Sequence, residues 1–161
     1  MLLTIDVGNT NITMGVFAGE VLIGTFRMTT KQARTSDEYG FTICGILEHR
    51  NISPKDIHAV IIASVVPDIM HSLTNGIIKY LEVKPLVVSA GIKTGIRIVT
   101  ENPKEIGPDR IVDAVAGYEI AKGAVIVVDF GTATTYDLIG PEGTFEAGIT
   151  APGIETAGRS P

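Results

Sequence analysis

The chain has 161 residues, 45% of them hydrophobic, enough for one good core or for one and a half small domains. Its formal net charge of −5 comes without a basic cluster, which argues against nucleic acid as a partner. No apolar run is long enough to span a bilayer, no signal peptide is read at the N-terminus, and the single cysteine, Cys44, cannot form an internal disulfide. These features fit a cytoplasmic protein with no membrane partner.

Residues 2–7 read as a buried strand and residues 12–18 alternate as a second. Gly19-Glu20 turns the chain, and Val21 to Met28 returns as a third strand. The polar stretch Lys31 to Asp37 reads as a solvated loop. Ser36 is the expected N-cap of a helix over about 37–50, with Tyr39, Ile43, Ile46 and Leu47 on one face. Ala59 to Val66 is a continuous β-branched run, as in a parallel strand buried on both faces. Pro67 ends it and opens a helix over about 68–81, and residues 85–89 form another short strand. Residues 90–105 read as a long loop, of the kind that often carries function. Gly107 and Pro108 then start a helix that runs to Ala121, with Ile111, Val115 and Tyr118 inward and Lys122-Gly123 closing it. Strands over 124–130, 134–139 and 144–150 repeat the first meander in order.

Each meander opens the same way. Asp6-Val7-Gly8-Asn9-Thr10-Asn11-Ile12-Thr13 and Asp129-Phe130-Gly131-Thr132 both end an apolar strand in Asp-x-Gly followed by small polar residues. The glycine lets the backbone approach a ligand, and the backbone N–H groups and hydroxyls suit phosphate oxygens. Val7 and Ile12 would contribute through their backbone alone. Asp6 would hold Mg²⁺, through water, beside the phosphates. Taken alone, either loop could be an ordinary Asx turn; the duplication favours phosphate binding. Asp109, at the start of a helix, could be a plain capping residue. His49, His58 and His71 lack metal-ligand spacing.

The motifs Asp6-Val-Gly-Asn-Thr-Asn11, Gly107-Pro-Asp-Arg110 and Val128-Asp-Phe-Gly-Thr-Ala133, in that order, resemble the type III pantothenate kinases. That family belongs to the superfamily of acetate and sugar kinases, heat-shock chaperone ATPases and actin. The resemblance implies an α/β, ribonuclease H-like (actin-like ATPase) fold, duplicated, with ATP between the two copies. It implies phosphorylation of pantothenate, a homodimer, and a monovalent cation, potassium or ammonium, beside the second loop. By resemblance, Asp109 is the general base, and Gly107, Pro108 and Arg110 bind substrate with it. Asp129 either holds the monovalent cation or shares Mg²⁺ with Asp6. Thr132 touches a phosphate or caps its loop.

The expected division is a first domain over 1–121 and an incomplete second over 122–161. Members of the family continue well past the Gly148-Ile-Thr-Ala-Pro-Gly153 segment, so the second copy reads as truncated. The expected consequences are an uncovered apolar sheet face, reduced stability or pairing through that face, and weak kinase activity. Two other functions fit the same scaffold: a non-enzymatic regulatory or transcriptional accessory protein, and a phosphohydrolase using the same loops on water. The Asp109-Arg110 pair favours the kinase.

Overall fold

A computed structural model describes residues 1–89, 92–130 and 133–153. The chain divides into two compact units, Met1–Val88 and Ser89–Pro161.

The first unit is a five-stranded sheet with two helices. Strands β1 (Leu2–Val7), β2 (Asn11–Ala18) and β3 (Val21–Thr29) form the expected antiparallel meander. β4 (Ala59–Ser64) lies parallel to β1, and the two-residue β5 (Leu86–Val87) lies parallel to β4. The sheet order is β3-β2-β1-β4-β5. Alternation along the strands decides which face is covered. Leu3, Ile5 and Val7 of β1 pair in register with Val16, Met14 and Ile12 of β2, and all six are buried. They pack against Tyr39, Ile43 and Leu47 of α1 (Ser36–His49) and Leu73, Ile77 and Leu81 of α2 (Met70–Leu81). Asp6 and Thr13, paired across β1 and β2, are exposed on the other face.

Several boundaries differ from the sequence reading. The N-cap of α1 is Thr35, not Ser36, because Thr35 and Glu38 form a reciprocal capping box. β4 stops at Ser64, whose hydroxyl binds the backbone of Val66 and turns the chain before Pro67. Pro67–Ile69 is a short 3₁₀ turn ahead of α2.

The second unit carries the sheet β6-β9-β8-β7. β7 (Val125–Phe130), β8 (Ala133–Ile139) and β9 (Thr144–Pro152) repeat the antiparallel meander. The stretch read as loop contributes β6 (Arg97–Ile98), parallel to β9, and a 3₁₀ turn at Pro103–Glu105. Helix α3 (Pro108–Ala121) starts at Gly107 as expected and covers one sheet face. A Cβ on Gly117 would come within 2.6 Å of the Val127 side chain, so the helix sits directly on β7. Among the described residues, Ala114, Ile139 and Phe145 form a buried hydrophobic cluster in this unit.

Compactness thus groups residues after Val88 with the second meander, a different criterion from the repeat-based domains 1–121 and 122–161. The repeated meander does begin after residue 121, but the helix that covers it precedes it in the chain. On the opposite face of this sheet Ile126, Val128 and Phe130 of β7, Tyr136 and Leu138 of β8 and Ile149 of β9 are all exposed.

Candidate active site

In the first unit, β1 ends at Val7 and the chain reverses through Gly8, Asn9 and Thr10 into β2. The Gly8 N–H donates to the Asn11 carbonyl at 2.9 Å, closing the turn. Thr30, at the end of β3, locks it from the side. Its hydroxyl donates to the Gly8 carbonyl at 2.8 Å and its N–H to the Thr10 carbonyl at 2.9 Å. A Cβ on Gly8 would lie 3.2 Å from the Asn11 carbonyl oxygen, tighter than an ordinary contact, so glycine suits the turn. Asp6, Asn9, Thr10 and Thr13 are exposed at this strand end, and Asn11 is partly so. Val7 and Ile12 are fully buried, so only their backbone can meet a ligand. The eight residues expected to form a phosphate loop are thus brought together.

In the second unit, α3 opens with Gly107 at the N-cap and Pro108 in the first turn. Pro108 lacks the N–H that a helix leaves unpaired at that position. Asp109 lies in the same turn, where the helix N-terminus favours a carboxylate. Arg110 reaches the sheet beneath. Its Nε donates to Asp137 Oδ1 at 3.0 Å and Oδ2 at 3.3 Å, and its Nη2 pairs with Oδ1 as well. Its Nη1 donates to Thr150 Oγ1 at 3.4 Å. The guanidinium carbon lies 6.0 Å from the centre of the Phe145 ring.

Asp129 is exposed on β7 and pairs in register with Thr135, whose buried hydroxyl has no partner among the described residues. Thr132 and Gly131 lie outside the described residues. Hard cations take oxygen ligands, and the carboxylate of Asp6 in the first unit and that of Asp129 in the second are each of the type that could supply one. Among the described residues no group of three or more His, Cys, Asp or Glu could hold a metal, so other ligands would be phosphate oxygens, carbonyls or waters. Mg²⁺ is commonly held this way, by one or two carboxylates plus substrate phosphates.

Sequence reasoning missed Asp137 and Thr150. The signal was present: Asp137 alternates with Thr135 and Ile139 on the inward face of β8, and an acid there requires a cation. A separate pocket of about 680 Å³ in the first unit, between the C-terminal parts of α1 and α2, includes Cys44, Glu48 and His58 but none of the expected site residues. Among the described residues no helix is long and apolar enough to cross a membrane.

The model of the family described as type III pantothenate kinase matches residues 2–160. The chain belongs to the type III pantothenate kinase family. It is 59% identical over 160 residues to a type III pantothenate kinase of Agathobacter rectalis, covering 99% of this chain and 62% of that protein. It is 50% identical over 154 residues to one from Listeria monocytogenes serotype 4a, covering 96% of this chain and 60% of that protein. The chain thus spans about three-fifths of the length of these relatives. Among solved structures it is similar to a candidate 2-dehydro-3-deoxygalactonokinase from Sinorhizobium meliloti, with a TM-score of 0.56, 11% identity and coverage of 93% of this chain and 53% of that one. It is also similar to a reductive activator for a corrinoid, iron–sulfur protein, with a TM-score of 0.55, 13% identity and coverage of 93% and 31%. At such identities the likeness concerns the fold alone, which is the ribonuclease H-like fold of actin-like ATPases and sugar kinases.

Proposed function

We propose that the protein phosphorylates pantothenate to 4′-phosphopantothenate at the expense of ATP, the first step of coenzyme A biosynthesis. The observation that carries this reading is the family match over residues 2–160, with Asp109 and Arg110 side by side in the first turn of α3.

Phosphoryl transfer needs positioning and charge control more than covalent help from the protein. The loop Asp6–Thr13 offers backbone N–H groups and hydroxyls to the ATP phosphates. Asp109 takes the proton from the primary hydroxyl of pantothenate as its oxygen bonds to the γ-phosphorus and the bond to the leaving ADP oxygen breaks. Arg110, with Gly107 and Pro108, orients the substrate. Asp6 would hold Mg²⁺, which supplies charge neutralisation on the phosphates. Asp129 would hold potassium or ammonium, or share the Mg²⁺. Thr132 would touch a phosphate. The working enzyme is a cytoplasmic homodimer, in which residues 1–121 belong to the first ribonuclease H-like domain and residues 122–161 to the second.

ADP release in potassium buffer, with and without pantothenate, tests the reaction. Pantothenate-dependent release, however slow, is expected. Pantothenate-independent release would point instead to hydrolysis, and binding of neither ligand to a regulatory role. Sedimentation of the full chain tests the dimer.

A further inference from the structure

The Arg110–Asp137 pair is built more closely than a surface ion pair. Asp137 is 1% exposed and accepts from both Nε and Nη2, so it occupies one whole edge of the guanidinium. Thr150 takes Nη1 from the neighbouring strand. β9 makes room for this arrangement. Gly148 is paired in register with Asp137, and a Cβ there would run into Arg110 Nη2 and lie 2.9 Å from Asp137 Oδ1 and 3.1 Å from Arg110 Cζ. Phe145 closes the cradle from below. A long side chain that would otherwise sample many rotamers is thereby fixed by an anion, a missing side chain and a ring.

We infer that Asp137 is the positioning residue for Arg110. It binds no substrate itself. It clamps the Nε–Nη2 edge and Thr150 takes one N–H of Nη1, so that the second N–H of Nη1 and the second N–H of Nη2 remain for a ligand beside Asp109. A bidentate edge specifies orientation as well as charge, which a lysine or a singly bonded arginine could not match. This inference rests on the proposed pantothenate site for its functional consequence but not for its geometry.

The test uses the full chain and the isosteric variant Asp137→Asn, which keeps the shape and one acceptor oxygen. In the wild type, the Nε–H of Arg110 is expected as a resolved, slowly exchanging NMR signal, lost in Asp137→Asn without loss of the cooperative fold. Titration calorimetry is expected to show pantothenate affinity falling about tenfold or more in Asp137→Asn, with ATP affinity unchanged. If Asp137 acts only through Arg110, adding Asp137→Asn to Arg110→Gln changes pantothenate affinity less than about twofold. A fast-exchanging Nε–H in the wild type would overturn the inference. So would an equal cost of Asp137→Asn in both backgrounds, or a matching loss of ATP affinity. Should the wild type bind no pantothenate, the substrate reading fails, and the NMR comparison alone decides the positioning role.

Discussion

Asp109 and Arg110 are sequence neighbours with different tasks. The carboxylate sits in the first turn of α3, and the guanidinium spans to β8 and β9. With Asp109 as the proposed base, Asp109→Asn is expected to lower turnover by about 10²–10⁴-fold, with ATP binding retained. Steady-state ADP release and ATP titration check both halves of that statement. Removing the clamp has a structural cost. Asp137→Ala leaves a largely buried guanidinium (the side chain of Arg110 is 16% exposed) without its counter-charge. A loss of about 3 kcal/mol of stability is expected, at the lower end for a broken buried pair because water reaches Arg110 in part. Urea unfolding followed by a probe in the second unit measures it. At this scale the sequence displayed Asp109 and Arg110 through the family motif. It did not display the acid that holds Arg110, because a residue 27 positions away reveals itself only when the strand register is known.

Helices α1 and α2 meet through glycine. A Cβ on Gly76 of α2 would run into the Ser36 carbonyl and lie 3.2 Å from the Gly40 N–H, and one on Gly40 would overlap the Tyr80 ring. Gly76→Ala is therefore expected to destabilise the first unit by about 1–3 kcal/mol, against the helix-propensity gain of alanine. Thermal denaturation of the variant shows which effect wins. The same helix pair is fastened at the surface by Asp37, which accepts from Lys79 at 2.7 Å and Tyr80 at 3.1 Å. The Lys79 hydrogen bond, then that of Tyr80, holds the Asp37 carboxyl below its ordinary range, and the bond to Asp37 raises Lys79. The lowered acid stabilises the fold above the ordinary carboxylate range, and that contribution fades as pH falls through the lowered value. The raised lysine stabilises below its ordinary range, and that contribution fades as pH climbs through the raised value. Both groups are exposed, so the effect is small. Asp37→Asn is expected to flatten both the acid and the alkaline limb of the urea midpoint against pH. The meanders and all three helices were legible from periodicity and breakers. The start of α1 was misplaced by one residue because Thr35 and Ser36 are both good caps, and the Glu38 partner selects Thr35. β6 was not legible, since two residues carry no period.

The two units are unequal. The first has a sheet with a helix-covered face and a core of seventeen buried hydrophobic residues running through it. Among the described residues of the second, Ala114, Ile139 and Phe145 form a smaller buried cluster, and one face of its sheet carries exposed Ile126, Phe130 and Ile149, at 63%, 68% and 65%. An apolar face of that kind promotes association. Hydrogen exchange is expected to show the first unit more strongly protected than the second, and Ile126→Lys to reduce self-association in light scattering. Equal protection in both units would count against this inequality. The duplicated meander was legible because its two Asp-x-Gly loops look alike. The compact units follow a different division from the repeats, because the helix covering the second sheet comes before it in the chain.

One measurement tests the proposed pantothenate kinase site most directly: ADP release by the wild type and by Asp109→Asn, in potassium buffer with Mg²⁺ and ATP, with and without pantothenate. Expected is release that requires pantothenate and falls at least about a hundredfold in the variant. Release at the same rate without pantothenate, or undiminished in Asp109→Asn, would contradict a pantothenate kinase site built on α3.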